Sequence, residues 1–560
     1  MRRIDTTAAP DVLIVGSGAA GLVASIRAAQ SGARVILIEK SSEIGGTSAT
    51  SGGGIWIPCS NLAKDVEGHE DTEDDAFKYI RSLAAAWSDD SLIRAYIRQA
   101  PAMLDWLIET TPVRYIPLPY PDYHPEYEGG KVGWRTHLPL PLDLRTRKDT
   151  IRNLRRASPA ASLGGVINWT FEETTALLYR PKGWIKTLSR MLARYGLDMP
   201  YRLTSTKDRF LTLGNSLVGA LVLTAREAGV AIYTDTSLQS LRLIQGRIAG
   251  VTVRHDGALI DIPARSVILT AGGWERDAQL RKTYMPSLPD PTHSGSQPNN
   301  TGDAIKAAIA AGAQVRGMGA AWWAPVFRVP GEERSRLCTI ERALPGCIMV
   351  DQEGRRFMNE ASSYHIAGQI MLEHAAKKGV EPRFWMVFDS RYRKQYPMGP
   401  LFPLLPDWLQ LPGVSRMLCR AKSLTELASH IGVDPETLQR TVSSFNRHAL
   451  DARDPDYGRG NSAYDRMYGD PRVDPNPTLR ALDEAPFYAL PIYAGDIGTC
   501  SGLATDTHAR VLDESGHPIE GLYAAGNTAA SVMGGSYPGA GSTLGPAMTF
   551  AYAAASHATT

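Results

Sequence analysis

A chain of 560 residues exceeds one ordinary compact unit, so two domains are expected, and a hydrophobic content of 43% is ample for a large core. The formal net charge of +2 supplies no global field for nucleic acid or a strongly acidic partner, and neither is expected. Cys59, Cys338, Cys347, Cys419 and Cys500 are scattered without a C-x-x-C pair, which suits neither a zinc site nor a disulfide framework; no metal is expected, and free thiols fit a reducing, cytoplasmic compartment.

Along the chain, Arg2 and Arg3 resemble the start of a signal peptide, but IDTTAAPD follows where an apolar segment is needed, so no export signal is expected. No run of about 18 apolar residues occurs, which excludes an ordinary transmembrane helix. Val12-Leu13-Ile14-Val15 reads as a buried parallel strand. GSGAAG at 16–21 then opens a helix. Gly16 allows the tight turn, Gly18 lets backbone approach a pyrophosphate and Gly21 lets helix and strand pack closely. Ser17, Ala19 and Ala20 belong to the same site, at a helix N terminus suited to phosphate. A second strand, Val35 to Ile38, ends at Glu39, whose carboxylate accepts hydrogen bonds from an adenosine ribose and disfavours a 2′-phosphate; Lys40 follows it into the site.

Residues 43–58, EIGGTSATSGGGIWIP, form a second loop rich in glycine and hydroxyls, with Gly45, Gly46, Thr47, Ser48, Ser51, Gly52 and Gly53 as candidate cofactor contacts. Between 183 and 195, Trp184, Leu188, Met191, Leu192 and Tyr195 fall on one helical face and Lys186, Arg190 and Arg194 on another, with Arg180 and Lys182 just ahead. A basic amphipathic helix with a tryptophan suits a membrane interface; an ordinary surface helix docked on the core is the plainer reading. VILTAGG at 267–273 reads as a strand ending in a tight turn at Ala271 and Gly272. The Pro-rich apolar segment 397–413 is either a cover over a greasy site or a packed irregular connection. GLYAAGNTAAS at 521–531 and GAGSTLGPAMTF at 539–550 give a strand, a loop with Gly526 and Asn527, and a helix entered through Ser542 and Leu544. Its N–H groups and positive dipole end are suited to the edge of a bound cofactor ring that takes on negative charge. No second G-x-G-x-x-G fingerprint is present, which disfavours a tightly bound nicotinamide.

Cofactor elements at both ends make the middle an insertion. The expected fold is α/β: a Rossmann-like dinucleotide-binding domain over 1–320 (the FAD-binding domain on the resemblance given next), with its own insertion near 170–210, an inserted α+β substrate (catalytic) domain over 321–495, and a return to the first domain over 496–560.

The 43–58 loop resembles that of the fumarate reductase/succinate dehydrogenase flavoprotein superfamily, where it runs along the pyrophosphate and ribityl chain, which implies FAD. Fumarate reductases of that superfamily hold a dicarboxylate with a histidine and an arginine. Here the corresponding stretches are Gly495 to Gly502, without the histidine, and Ser536-Tyr537-Pro538-Gly539-Ala540-Gly541, without an arginine. A dianionic substrate would lack its partners. YPDYHPEYEGG (120–130), GRRFMNEASSYHIAG (354–368), GDIGTCSGLATD (495–506) and AGNTAASVMGGSYPGAGSTLGPAMTF (525–550) together resemble the 3-ketosteroid Δ1-dehydrogenases over almost the whole chain.

The resemblance implies 1,2-desaturation of a 3-ketosteroid or sterol-derived substrate, with catalytic residues at Tyr123, Tyr364, Tyr537 and Gly541. Tyr537 and the Gly541 N–H would form an oxyanion hole for the C3 enolate. Tyr364 would take the C2 proton, Tyr123 would relay it, and flavin N5 would accept the C1 hydride. Tyr120 competes with Tyr123, and Tyr468 is a candidate to line the site. An external electron acceptor is required; a quinone would suit an enzyme docked through 183–195 at the inner face of the membrane. A Δ4-(5α)-ketosteroid dehydrogenase, a flavoprotein reductase of another conjugated carbonyl substrate and a non-catalytic flavin-binding protein remain as rivals.

Overall fold

The structure, a computed structural model, describes residues 4, 9–145, 151–163, 165–288, 290–403 and 405–560. Arg2 and Arg3, which resemble the charged start of a signal peptide, and most of the IDTTA stretch read against one, lie outside them. The organising element is a six-stranded sheet ordered Ala231–Tyr233, Val35–Ile38, Val12–Val15, Ser266–Leu269, Pro518–Ala524 and Arg510–Leu512. Its first five strands are parallel and the last is antiparallel. Val12 to Val15 are buried without interruption because the sheet is covered on both faces. Val12, Ile14, Val35 and Leu37 face a helix layer, whereas Leu13, Val15, Ile36 and Ile38 face an antiparallel meander of Thr236–Ile244, Arg247–His255 and Ala258–Pro263. The helix layer joins the first helix, Ala19–Gln30, to the last, Leu544–Ala558, so the two ends of the sequence close one unit.

A second sheet, antiparallel, runs Arg336–Leu337, Ala321–Phe327, Phe487–Thr499, Arg383–Phe388 and Cys347–Val350, with Cys419–Ala421 alongside Phe487–Thr499. The helix Tyr364–Lys378 packs on it, with the Ser363 hydroxyl accepting from the Ile366 N–H as its N-cap. Ala321–Phe327 and Phe487–Thr499 pair from Ala321↔Thr499 to Val326↔Tyr493, which carries the far end of this sheet to the edge of the first.

The segment near 170–210 holds the helices Phe171–Tyr179, closed by a Thr170/Glu173 capping box, and Trp184–Leu197. Trp184, Leu188, Met191 and Tyr195 pack with Ile167, Trp169, Leu177 and Phe402. Leu192, grouped with them in the sequence, turns outward at 50% exposure, because eight residues from Trp184 carry it beyond that stripe. Arg194 is likewise not a free surface cation: it pairs with Glu173 at 2.8 Å and lies over the Phe210 ring. Within 397–413, where Leu404 is outside the described residues, the chain forms only short turns of helix at Asp407–Leu409 and from Pro412. Among the described residues no helix is long and apolar enough to cross a membrane.

Candidate active site

The residues assigned to the cofactor lie in strips of chain around the C-terminal edge of the parallel sheet, the expected binding edge of such a fold. Gly16 has φ +104°, and a Cβ there would lie 2.4 Å from the Thr270 carbonyl oxygen; one on Gly21 would lie 1.9 Å from that of Gly16. Both are obligatory, for the turn and for the close helix–strand approach. Gly18 caps the helix Ala19–Gln30, whose first turn contains no acid. The Glu39 carboxylate accepts from the Ser17 N–H (3.0 Å), the Ser17 hydroxyl (2.6 Å) and the Ser41 N–H (2.9 Å), so its position at the strand end is fixed. Lys40 turns away to Thr301 and Asp303 at 2.6 and 2.7 Å.

The second loop folds back over this turn. The Gly45 N–H donates to the Ser17 hydroxyl at 3.0 Å, and the Ser48 hydroxyl accepts from the Ala19 N–H at 3.1 Å. Gly46 approaches Gly18, Thr47 accepts from Asn300 at 3.3 Å, and Ser51 accepts from the Gly53 N–H at 3.0 Å. Around Gly52 a Cβ would meet nothing within 4 Å, so this part of the loop faces open space. The Thr528 hydroxyl donates to the Gly272 carbonyl beside Ala271 at 2.9 Å, which joins the third strip to the Gly526-Asn527 turn. Ser542 closes the turn from Gly539 ahead of Leu544, and the helix it enters also has no acid in its first turn. Two acid-free helix N termini, a carboxylate at the end of the second strand and an open glycine loop between them fit a dinucleotide of FAD's shape and charge.

Next to this cradle lies a cluster of aromatic rings. Tyr123, Tyr364 and Tyr537 meet pairwise with centroids 5.6, 5.4 and 5.3 Å apart, and Trp322 abuts Tyr537 at 5.1 Å. Tyr364 meets both of the other rings edge-on, at 82° to Tyr123 and 66° to Tyr537. Thr543, two residues beyond Gly541 in the same turn, donates to the Tyr537 hydroxyl at 3.1 Å. The Tyr123 loop is tied to the Tyr537 loop by the Tyr123 N–H to the Pro538 carbonyl (2.8 Å) and by Tyr79, which donates to that carbonyl at 2.6 Å. Asp122 holds Trp56 and Arg135, both at 2.7 Å, beneath it. Tyr120 is one ring further out, 6.0 Å from Tyr468 and 5.7 Å from Phe171, and Tyr468 reaches the centre through Tyr464.

Thr543, Trp322, Tyr464 and Glu275 were missed from sequence. Only Thr543, two residues beyond Gly541, carried a local signal. Glu275 is fully buried and accepts from Asn300 at 2.7 Å and from the Thr499 N–H at 3.2 Å. Burial, then the nearby Asp496, pushes its carboxyl upward. Asp496 itself is paired with buried Arg281 at 2.7 Å. At Gly498, φ +139° brings the backbone against Asn527.

The phenols are in a dry environment. Burial pushes Tyr123 and Tyr364 well above the ordinary phenol value, and neighbouring tyrosines add to it; the hydrogen bond from Tyr123 works the other way on Tyr364. Tyr537 is also raised by burial, against the opposing bonds from Thr543, Tyr364 and the Gly541 N–H. Tyr468 is pushed to about 12.

The arrangement can polarise a carbonyl oxygen, remove a proton beside it and leave the adjacent carbon facing the cofactor cradle. A family model described as FAD binding domain matches residues 11–544. The chain is 37% identical to a 3-oxosteroid 1-dehydrogenase of Mycobacterium tuberculosis, covering 98% of each, and 35% identical to a 4-oxocyclohexanecarboxylate 2-dehydrogenase of Sinomonas cyclohexanicum, covering 97% of this chain and 92% of that one. A solved 3-ketosteroid Δ1-dehydrogenase from Sterolibacterium denitrificans, in complex with 1,4-androstadiene-3,17-dione, is 40% identical and superposes with a TM-score of 0.92, over 98% of this chain and 99% of that one.

Proposed function

The chain belongs to the FAD-dependent flavoprotein family that contains the 3-oxosteroid 1-dehydrogenases, and on that premise we propose that it removes a C1 hydride and a C2 proton from a 3-ketosteroid. The product is the 1,2-unsaturated ketone. When bound, FAD supplies the hydride acceptor at flavin N5. The Tyr537 hydroxyl and the Gly541 N–H donate to the C3 carbonyl oxygen and hold the enolate charge, which makes the C2 proton acidic. Thr543 donates to the Tyr537 hydroxyl and so turns the tyrosine's own proton toward the substrate. Tyr364, as phenolate, takes the C2 proton, and Tyr123 passes it outward. The observation that carries this reading is the convergence of Tyr537, Gly541 and Tyr364 next to the cofactor cradle. Reduction of a conjugated acid is disfavoured: Gly498 has no side chain to offer the acid, and Arg281 behind it is already paired with Asp496.

Incubation of the holoenzyme with androst-4-ene-3,17-dione or cholest-4-en-3-one and an artificial electron acceptor is expected to yield a product lighter by two hydrogens with its new double bond at C1–C2. Unsaturation at C4–C5 from a 5α-steroid alone would make it a Δ4-(5α) enzyme. Turnover confined to monocyclic 4-oxocyclohexanecarboxylates would reject the steroid.

The structure also supports a membrane-docking role for the 183–203 region, through a face different from the one read in sequence. Ile185 (62% exposed), Leu192, Leu197 (82%) and Leu203 (82%) present apolar surface, and the exposed Lys182, Lys186 and Arg190 make no ion pair among the described residues. Such a surface fits an anionic lipid bilayer, where a quinone would be at hand as electron acceptor. Anionic vesicles are expected to co-sediment the protein, and Leu192→Glu with Leu203→Glu to weaken this by about tenfold or more without changing turnover of a soluble steroid. Equal recovery with neutral vesicles, or no effect of the pair, would reject it.

A further inference from the structure

Burial raises the phenol of Tyr364, which as a base must first lose its proton. Its neighbours are Tyr123, Tyr464, Tyr537 and His365, the last kept neutral because burial pushes its imidazole down to about 4. The phenolate therefore needs a source of positive potential from outside the aromatic cluster.

Arg342 is 1% exposed and lies behind the N terminus of the helix that begins at Tyr364. Its guanidinium donates only to backbone carbonyls: to Cys338 at 3.0 Å, Glu360 at 2.6 Å, Thr339 at 3.2 Å and, from both terminal nitrogens, Ser362 at 3.2 Å. Ser362 directly precedes the helix cap Ser363, so the guanidinium is anchored at the positive end of the helix dipole. Among the described residues no carboxylate is within ion-pair distance of Arg342.

The neighbouring guanidiniums, by contrast, are paired. Arg356 and Arg459 share the Glu360 carboxylate at 2.7 and 3.2 Å, and Arg356 also holds Asp454 at 2.8 Å. Burial opposes ionisation of Glu360 and Asp454, but the guanidiniums outweigh it and hold both carboxyls low. The other acids facing the cluster, Glu341 and Asp465, are pushed up by burial, as are the thiols of Cys338 and Cys347. Arg356 and Arg459 thus each have a carboxylate at ion-pair distance, whereas Arg342 has none among the described residues. Keeping such a charge buried is costly for stability, which favours a functional reason for it. Arg342 also opposes the upward push of burial on Tyr464, whose ring lies 4.8 Å from that of Tyr123.

We propose that Arg342 is a positioning residue for the base: with the helix N terminus, its unpaired charge stabilises the phenolate form of Tyr364 that must exist before the substrate proton is taken. This rests on the assignment of Tyr364 as base.

The test is the pH dependence of kcat/KM for androst-4-ene-3,17-dione, measured on FAD-loaded enzyme. Activity should rise with pH as the phenol ionises. Arg342→Met is expected to move that limb to higher pH by about one unit or more, and Arg342→Lys to return it toward the wild-type position. Glu360→Gln removes a negative charge from the same network at nearly constant shape and should move the limb the opposite way, so it decides the matter if Arg342→Met does not fold. Unmoved limbs in folded Arg342→Met or in Glu360→Gln, while Tyr364→Phe abolishes turnover, would overturn the proposal alone. Near-normal turnover by Tyr364→Phe would remove the base assignment itself, and the proposal with it.

Discussion

Tyr364→Phe is expected to lower kcat for 1,2-desaturation by roughly 10³-fold while FAD remains bound, within the range lost when a general base is removed. The change is small in every other respect. The ring keeps its edge-on contacts with Tyr123 and Tyr537 at 5.6 and 5.3 Å, and only the hydroxyl is lost. The residue starts the helix Tyr364–Lys378, whose cap is made by Ser363 and not by the tyrosine, so the helix should be unaffected. Stopped-flow observation of flavin bleaching after anaerobic mixing with steroid isolates the chemical half-reaction from reoxidation. A bleaching rate near that of the wild type would exclude Tyr364 as the base; a slow rate with unchanged steroid affinity is the expected result.

How far the sequence reveals this site depends on whether a constraint is local. GSGAAG could be read because Gly16 and Gly21 are compelled by contacts within one strand–turn–helix unit and its neighbouring strand. Glu39 could be read because it ends the adjacent parallel strand. Trp322, Glu275 and Arg342 could not, since they reach the site only through pairing across long separations, such as Trp323↔Asp496, or through burial of a charge that no local pattern announces. The order of Tyr120 and Tyr123 was also beyond sequence: three residues apart in an irregular loop, their directions are set by the Tyr123–Pro538 and Asp122–Arg135 contacts. Gly495 reads as a break between segments, yet it lies inside the strand Phe487–Thr499, where a Cβ would stand 2.2 Å from the His293 carbonyl oxygen. That glycine marks a close approach of chains, not an interruption. Periodicity alone placed Leu192 with Trp184, and only packing on Phe402 fixed which stripe faces inward.

Gly541→Ala should be damaging twice over, because it acts on the cofactor side and the substrate side together. The residue has φ +102°, and the added Cβ would stand 2.4 Å from the Ile55 carbonyl carbon, 2.5 Å from the Ile55 Cα and 2.6 Å from the Trp56 nitrogen. These are backbone atoms of a short strand paired with Thr136 and His137, so they have little room to retreat. Positive-φ strain and overpacking together should cost about 2–5 kcal/mol of stability. Relief requires the 539–544 turn to move, and that turn carries the Gly541 N–H and accepts, through the Gly541 carbonyl, the Gly545 N–H at 3.0 Å at the start of the last helix. Loss of one oxyanion donor alone lowers kcat by about 10²–10³-fold. The variant should therefore melt earlier, retain less FAD on gel filtration and lose at least that much activity in whatever fraction stays loaded. Tyr537→Phe separates the two effects, since it deletes a donor without moving backbone and should spare FAD retention. A Gly541→Ala holoenzyme that melted normally and desaturated steroid at the wild-type rate would mean that the 541 backbone does not lie against Ile55 and Trp56, and the oxyanion hole would have to be sought elsewhere.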